Sequence, residues 1–110
     1  MEKRTDREGH IIIRLSGLPL MLRYTLNDLC AMEIWAGMPL DELMNRHFSA
    51  TRLLLWAGLR QDHPQMSLWD VGEMLGAHLQ RGGTLAEVVE MCAEALRASG
   101  LLDGADGEEA

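Results

Sequence analysis

Two adjacent stretches decide the fold. The first is Ser67-Leu68-Trp69-Asp70-Val71-Gly72-Glu73-Met74-Leu75-Gly76-Ala77-His78-Leu79-Gln80. The second, beyond Arg81-Gly82-Gly83, is Thr84-Leu85-Ala86-Glu87-Val88-Val89-Glu90-Met91-Cys92-Ala93-Glu94-Ala95-Leu96-Arg97-Ala98-Ser99-Gly100. In the first, Leu68, Val71, Gly72, Leu75 and Leu79 recur at helical spacing; in the second, Leu85, Val88, Val89, Cys92 and Leu96 do the same. Ser67-x-x-Asp70 and Thr84-x-x-Glu87 read as capping boxes. In each, a hydroxyl accepts from an otherwise unpaired backbone N–H, while the acid favours the positive end of the helix. Gly82-Gly83 and Gly100 supply the stops. Two amphipathic helices over 68–80 and 85–99 follow.

Upstream, Leu53-Leu54-Leu55-Trp56-Ala57-Gly58-Leu59 is apolar almost all round and bracketed by Arg52 and Arg60. A short helix of that kind belongs at the centre, with the others packed around it. A third box, Thr25-x-x-Asp28, opens a helix that Gly37 and Pro39 close. The full reading is five helical segments, about 26–36, 39–47, 50–61, 68–80 and 85–99. Before them, Ile11, Ile13 and Leu15 share one face at period two, as do Leu20, Leu22 and Tyr24. Two short strands around a Ser16–Pro19 turn make a hairpin. The expected fold is mainly α: an N-terminal β-hairpin followed by a compact bundle of about five short helices. The expected core is Leu29, Leu55, Trp56, Leu59, Val71, Leu75, Val88, Cys92 and Leu96.

The chain has 110 residues, 47% of them hydrophobic and 25% charged. That is enough for one domain with a core of its own. Residues 10–102 form this domain; 1–9 read as a disordered leader and 103–110 as a disordered acidic tail, since neither contains a run of apolar residues to bury. The net charge is -7, and the acidity is concentrated at the C-terminal end. From residue 84 onward Arg97 is the sole base, against Glu87, Glu90, Glu94, Asp103, Asp106, Glu108 and Glu109. Phosphate binding needs a basic face, so nucleic acid is not an expected partner. The pair 68–80 and 85–99 has the outline of a helix-turn-helix, but Glu87, Glu90 and Glu94 would meet phosphates with the wrong sign. The longest apolar stretch, Ile11–Tyr24, is broken by Arg14, Gly17, Pro19 and Arg23, so neither a membrane span nor a signal peptide is expected. A cytoplasmic protein without a membrane partner follows.

No catalytic constellation emerges. The chain lacks a phosphate-cradling glycine loop, HExxH, GxSxG and an Asp-rich calcium loop. His10, His47, His63 and His78 fall in four segments without a second ligand at i+3 or i+4. Cys30 and Cys92 have no CxxC spacing and read as two small buried thiols in a reducing compartment. Glu33 lies in the apolar stretch Leu29–Trp35, and Arg23, Arg52 and Arg60 are candidates to pair with it. The expectation is a non-enzyme with no cofactor and no metal. Interaction chemistry remains. Eight methionines are spread over the segments, and thioether side chains suit adaptable surfaces. Met32, Met44 and Met91 read as core. Trp69 lies off the Leu68–Val71–Leu75 stripe and, with Met66 and Met74, is the candidate partner contact.

The run Arg23-Tyr24-Thr25-Leu26-Asn27-Asp28-Leu29-Cys30-Ala31-Met32-Glu33 resembles the opening of the tail assembly chaperones of long-tailed phages. A second block resembles that family and the related gene-transfer-agent tail proteins more strongly. It comprises Ser49-Ala50-Thr51-Arg52-Leu53-Leu54-Leu55-Trp56-Ala57-Gly58-Leu59-Arg60, then Asp62-His63-Pro64 and Ser67-Leu68-Trp69-Asp70-Val71-Gly72-Glu73-Met74-Leu75. The resemblance spans about 23–98. Some members carry a long frameshifted extension, whereas this chain ends in a short acidic tail.

The resemblance implies a non-enzymatic assembly factor that binds and solubilises the tape measure protein while tail tube subunits polymerise around it, and that is absent from the mature particle. The implied partners are the tape measure protein, the tail tube protein and weakly associated copies of the chain itself. The alternative reading is a small acidic helical adaptor or regulator that binds a protein partner through helices 68–99.

Overall fold

The computed structural model describes residues 3–5, 11–15, 17–39, 42 and 47–101. Among these are three strands, β1 (Lys3–Thr5), β2 (Ile11–Leu15) and β3 (Leu18–Leu22). Four helices follow: α1 (Leu26–Ala36), α2 (His47–Leu59), α3 (Leu68–Gln80) and α4 (Leu85–Ser99). The expected helix at 39–47 falls mostly outside the described residues, as do Met44, His10 and the tail 103–110, so the described helices number four rather than five.

The hairpin forms with two changes. Its turn is tighter than the expected Ser16–Pro19, because Leu15 already pairs with Leu18. Gly17 takes φ 81°, a left-handed conformation that glycine adopts without a Cβ clash. Pro19 therefore lies inside β3, opposite Arg14. It is tolerated because its nitrogen faces the outer edge of the sheet, away from β2. The second change concerns the leader. Within 1–9, Lys3–Thr5 pair antiparallel with Ile11–Ile13 and make the sheet three-stranded, in the order β1-β2-β3. A short polar run gains its place here from backbone pairing, which hydropathy does not register.

The alternation in β2 and β3 has a direct consequence. Ile11, Ile13, Leu15, Leu20, Leu22 and Tyr24 are all buried on one face of the sheet. Helices α2 and α4 cover that face, α2 against β3 and α4 against β2. Helix α2 is the hub: Ala50, Thr51, Leu53, Leu54, Leu55, Ala57, Gly58 and Leu59 are buried, and α1, α3, α4 and β3 all pack on it. The free edge of β3 is closed by the end of α2 and the loop after it. The Arg23 N–H donates to the Gly58 carbonyl at 2.8 Å, and the Met21 N–H donates to His63 Nε2 at 3.1 Å. With Pro19 offering no donor, β3 presents no outward row of N–H groups for another strand.

All three capping boxes form with both hydrogen bonds in place, at Thr25/Asp28, Ser67/Asp70 and Thr84/Glu87. The first is more than a cap. Asp28 is fully buried and accepts from the Thr25 N–H (2.8 Å), Thr25 Oγ1 (2.9 Å), Arg60 Nη1 (3.2 Å) and Gln61 Nε2 (3.2 Å). The expected ion pair of a buried carboxylate with Arg60 thus exists, but the acid is Asp28. Glu33 is exposed, because α1 turns only Asp28 and Met32 fully inward.

Of the expected core, Leu55, Leu59, Val71, Leu75, Val88 and Cys92 are buried. Leu29, Trp56 and Leu96 are half-buried and packed against it. Trp56 lies at the rim: its ring meets Trp35 edge-on at 6.1 Å, and the Arg60 guanidinium sits 5.3 Å from its centroid. The thiols part company, since Cys92 is buried and Cys30 exposed. Burial pushes the Cys92 thiol up to about 12, partly offset by its hydrogen bond with Tyr24. Burial also holds the Tyr24 phenol well above its usual range, with the neighbouring Cys92 adding to the effect.

Candidate functional site: an apolar groove across three helices

Helix α3 carries two stripes. Val71, Met74 and Leu75 face the core, while Trp69, Gly72, Glu73, Gly76 and Leu79 recur along the outer side. Glycine offers no side chain to fill the outer surface, so the stripe is a trough with Trp69 near one end and Leu79 at the other. The N-terminal part of α2 forms the opposite wall with Phe48, Ser49 and Arg52, and the hollow between them has a volume of about 420 Å³. A smaller hollow of about 200 Å³ adjoins it. Ser49 and Arg52 line both; Trp35, Ala36, Met38, Leu53 and Leu68 complete the second. The result is one groove that runs from the end of α1 across α2 to α3.

Large apolar side chains stand open around this groove: Trp69 is 71% exposed, Phe48 70% and Trp35 64%. Scattered single apolar residues are ordinary on a protein surface, but a cluster of aromatics around a concave face marks an interaction site. The floor differs at its two glycines. A Cβ at Gly76 would meet nothing within 4 Å, whereas one at Gly72 would lie 3.1 Å from Arg52 Cδ and 3.7 Å from its Nη1. The aliphatic stem of Arg52 therefore lies across Gly72.

The three residues expected to contact a partner are separated by the structure. Trp69 stands at the groove. Met66 is half-buried against the core, and Met74 is 8% exposed and points inward, a correction that follows from its place on the Val71–Leu75 stripe. The methionines as a group fill space: Met32 and Met91 are buried, Met38 and Met66 partly so. Gly72, read from spacing as part of the core stripe, forms groove floor. Phe48, Arg52 and Gly76 were not selected from sequence as contact residues. A signal for Phe48 was present, an aromatic at a helix start with no place in the Leu53–Leu59 run.

The remaining candidate chemistry resolves into structural roles. His63 Nε2 accepts from the backbone of β3, which places its proton on Nδ1. His78 Nε2 lies 3.1 Å from Glu87 Oε1. The backbone N–H of Thr84 and the His78 contact hold the Glu87 carboxyl below its ordinary range. On the exposed side of α4, Glu90 pairs with Arg97 at 3.0 Å. Among the described residues no group of three His, Cys, Asp or Glu side chains is placed to hold a metal ion. Among the described residues no helix is long and apolar enough to cross a membrane.

In comparisons with known proteins, the chain matches no family model, no curated protein and no solved structure.

Proposed function

We propose that this protein is a non-enzymatic assembly chaperone of the phage-tail type, which binds and solubilises the long helical tape measure protein while tube subunits assemble around it. The observation that supports this reading is the aromatic-rimmed groove of Trp35, Phe48 and Trp69 over a floor of Gly72 and Gly76. A long amphipathic helix exposes an apolar stripe that aggregates unless covered, and a groove between helices covers it by i, i+3, i+4, i+7 contacts. A chaperone must also release its client, and a shallow groove of modest area suits release better than a deep pocket. The net charge of -7 keeps many copies apart in solution, in keeping with weak self-association rather than a tight oligomer.

The test is affinity capture of the tagged chain, co-expressed with its own genomic neighbours and read by mass spectrometry. The expected result is recovery of a very long helical protein, with or without a tail tube subunit, and loss of that recovery in Gly76→Leu, which fills the groove. Recovery of a compact regulator or enzyme, unaffected by Gly76→Leu, selects the small adaptor acting through α3 and α4 instead.

A further inference from the structure

Resting on the reading that the groove holds an amphipathic helix, we infer that Arg52 makes it selective for a helix that carries a carboxylate within its apolar stripe. The other half-buried arginines, Arg23 and Arg60, are matched, as is Arg97 on the exposed side of α4. Arg60 pairs with Asp28 at 3.2 Å, Arg23 with Asp62 at 3.5 Å and Arg97 with Glu90 at 3.0 Å. Arg52 is half-buried at the junction of the two hollows and makes no hydrogen bond or ion pair among the described residues. Glu73 lines the same hollow and likewise makes neither, so the two charges do not satisfy each other.

The stem of Arg52 is accommodated by the missing side chain of Gly72, which places the guanidinium in the groove rather than over open solvent. Around it the lining is mostly apolar, Phe48, Trp69, Leu79 and Leu68, and the two side chains there that carry oxygen, Ser49 and Glu73, make no hydrogen bond to it among the described residues. Water meets that need while the groove is open. A purely apolar helix laid over it would strip the water and strand the cation, which is strongly unfavourable. A helix with Asp or Glu at the matching position replaces the lost water with a charge-assisted, often bidentate, contact. The protein as a whole is acidic, so its long-range field opposes an acidic ligand. A preference for the carboxylate can then come only from a local contact.

The experiment uses the full chain and fluorescein-labelled synthetic amphipathic helices of about 20 residues, long enough to span the groove. Each carries Glu, Gln or Lys in turn at three central positions of the apolar stripe, and binding is read by anisotropy. The expected result, at one position at least, is that Glu binds about tenfold or more tighter than Gln, with Lys weakest. Arg52→Gln removes the preference and Arg52→Glu inverts it toward Lys, while thermal melts of both variants match the parent. Equal affinities at every position overturn the inference, as does a Glu preference that survives Arg52→Gln. If Trp69→Ala weakens all peptides alike while Glu and Gln bind equally, the groove reading stands and the carboxylate selectivity falls. If no peptide binds, or Trp69→Ala changes nothing, the groove reading fails and takes the selectivity with it.

Discussion

Gly58 sits where α2 comes closest to the sheet, and Gly58→Ala is the sharpest test of that contact. A Cβ there would stand 2.7 Å from Tyr24 Cζ, 2.8 Å from Tyr24 Oη and 2.9 Å from Leu22 Cδ2. Neither neighbour is free to yield. Leu22 is fully buried and Tyr24 is 3% exposed. The Tyr24 hydroxyl is also fixed by its 2.5 Å hydrogen bond to the Leu54 carbonyl on the same helix. Overpacking of this kind costs about 1–3 kcal/mol. Displacing the phenol adds about 1 kcal/mol for the broken hydrogen bond. Gly58 is the penultimate residue of α2, so its replacement by alanine returns at most about 1 kcal/mol, leaving a net loss of at least about 1–3 kcal/mol. Gly76→Ala is the matched control, because the same methyl meets nothing within 4 Å and only the helical gain of up to about 1 kcal/mol remains. Urea unfolding followed by far-UV circular dichroism reads both, with wild type between the two variants. A Gly58→Ala protein as stable as wild type would refute the close packing of α2 on β3, and with it the central position of that helix.

Other outcomes follow from the buried polar groups and the thiols. Asp28→Ala removes a carboxylate that serves Thr25, Arg60 and Gln61 at once; because Arg60 retains some access to water, the expected loss is about 2–4 kcal/mol in the same urea assay. A maleimide added to the native protein labels Cys30 alone, since Cys92 is buried with its thiol pushed up to about 12, and mass spectrometry finds the second adduct only after denaturation. Glu87 has a lowered folded pKa, so its contribution to stability is present above the carboxylate's unfolded pKa and is lost as pH falls through the folded value. Glu87→Gln is therefore expected to melt below wild type at neutral pH, with the two melts converging in acid.

Much of the fold was legible because the controlling signals are local. The caps at Thr25, Ser67 and Thr84 satisfy backbone donors within three residues, and the hydroxyl-x-x-acid spacing names them without tertiary information. The alternation Ile11-Ile13-Leu15 likewise assigns a face as soon as a sheet exists. The errors arise where position depends on a distant partner. Asp28 reads only as the acid of a capping box, and its burial depends on Arg60 and Gln61 arriving from the far end of α2. Glu33 reads as half-buried because it lies among Leu29, Met32, Ile34 and Trp35, yet α1 lies at the margin and leaves Ile34 and Trp35 in solvent. Lys3–Thr5 are held by strand pairing, which leaves no hydrophobic trace in a polar tripeptide.

The groove eluded the sequence for a reason that bears on its role. In a periodicity argument glycine counts as a small apolar residue, so Gly72 joined the Val71–Leu75 stripe and the trough beside it had no signature. Physically, Gly72 and Gly76 each cost α3 up to about 1 kcal/mol relative to alanine, and neither fills core. Only Gly72 has a structural use visible in the fold, as room for Arg52. Gly76 faces open space, with Trp69 and Leu79 along the same outer stripe. A helix interior that gives up stability at a position requiring no glycine breaks a local rule, and such breaks concentrate where a surface is shaped for something outside the chain. Gly76→Ala therefore carries a second reading beyond its stability: a protein that gains stability but loses affinity for an amphipathic helix would show that the glycine serves the occupant of the groove, not the fold.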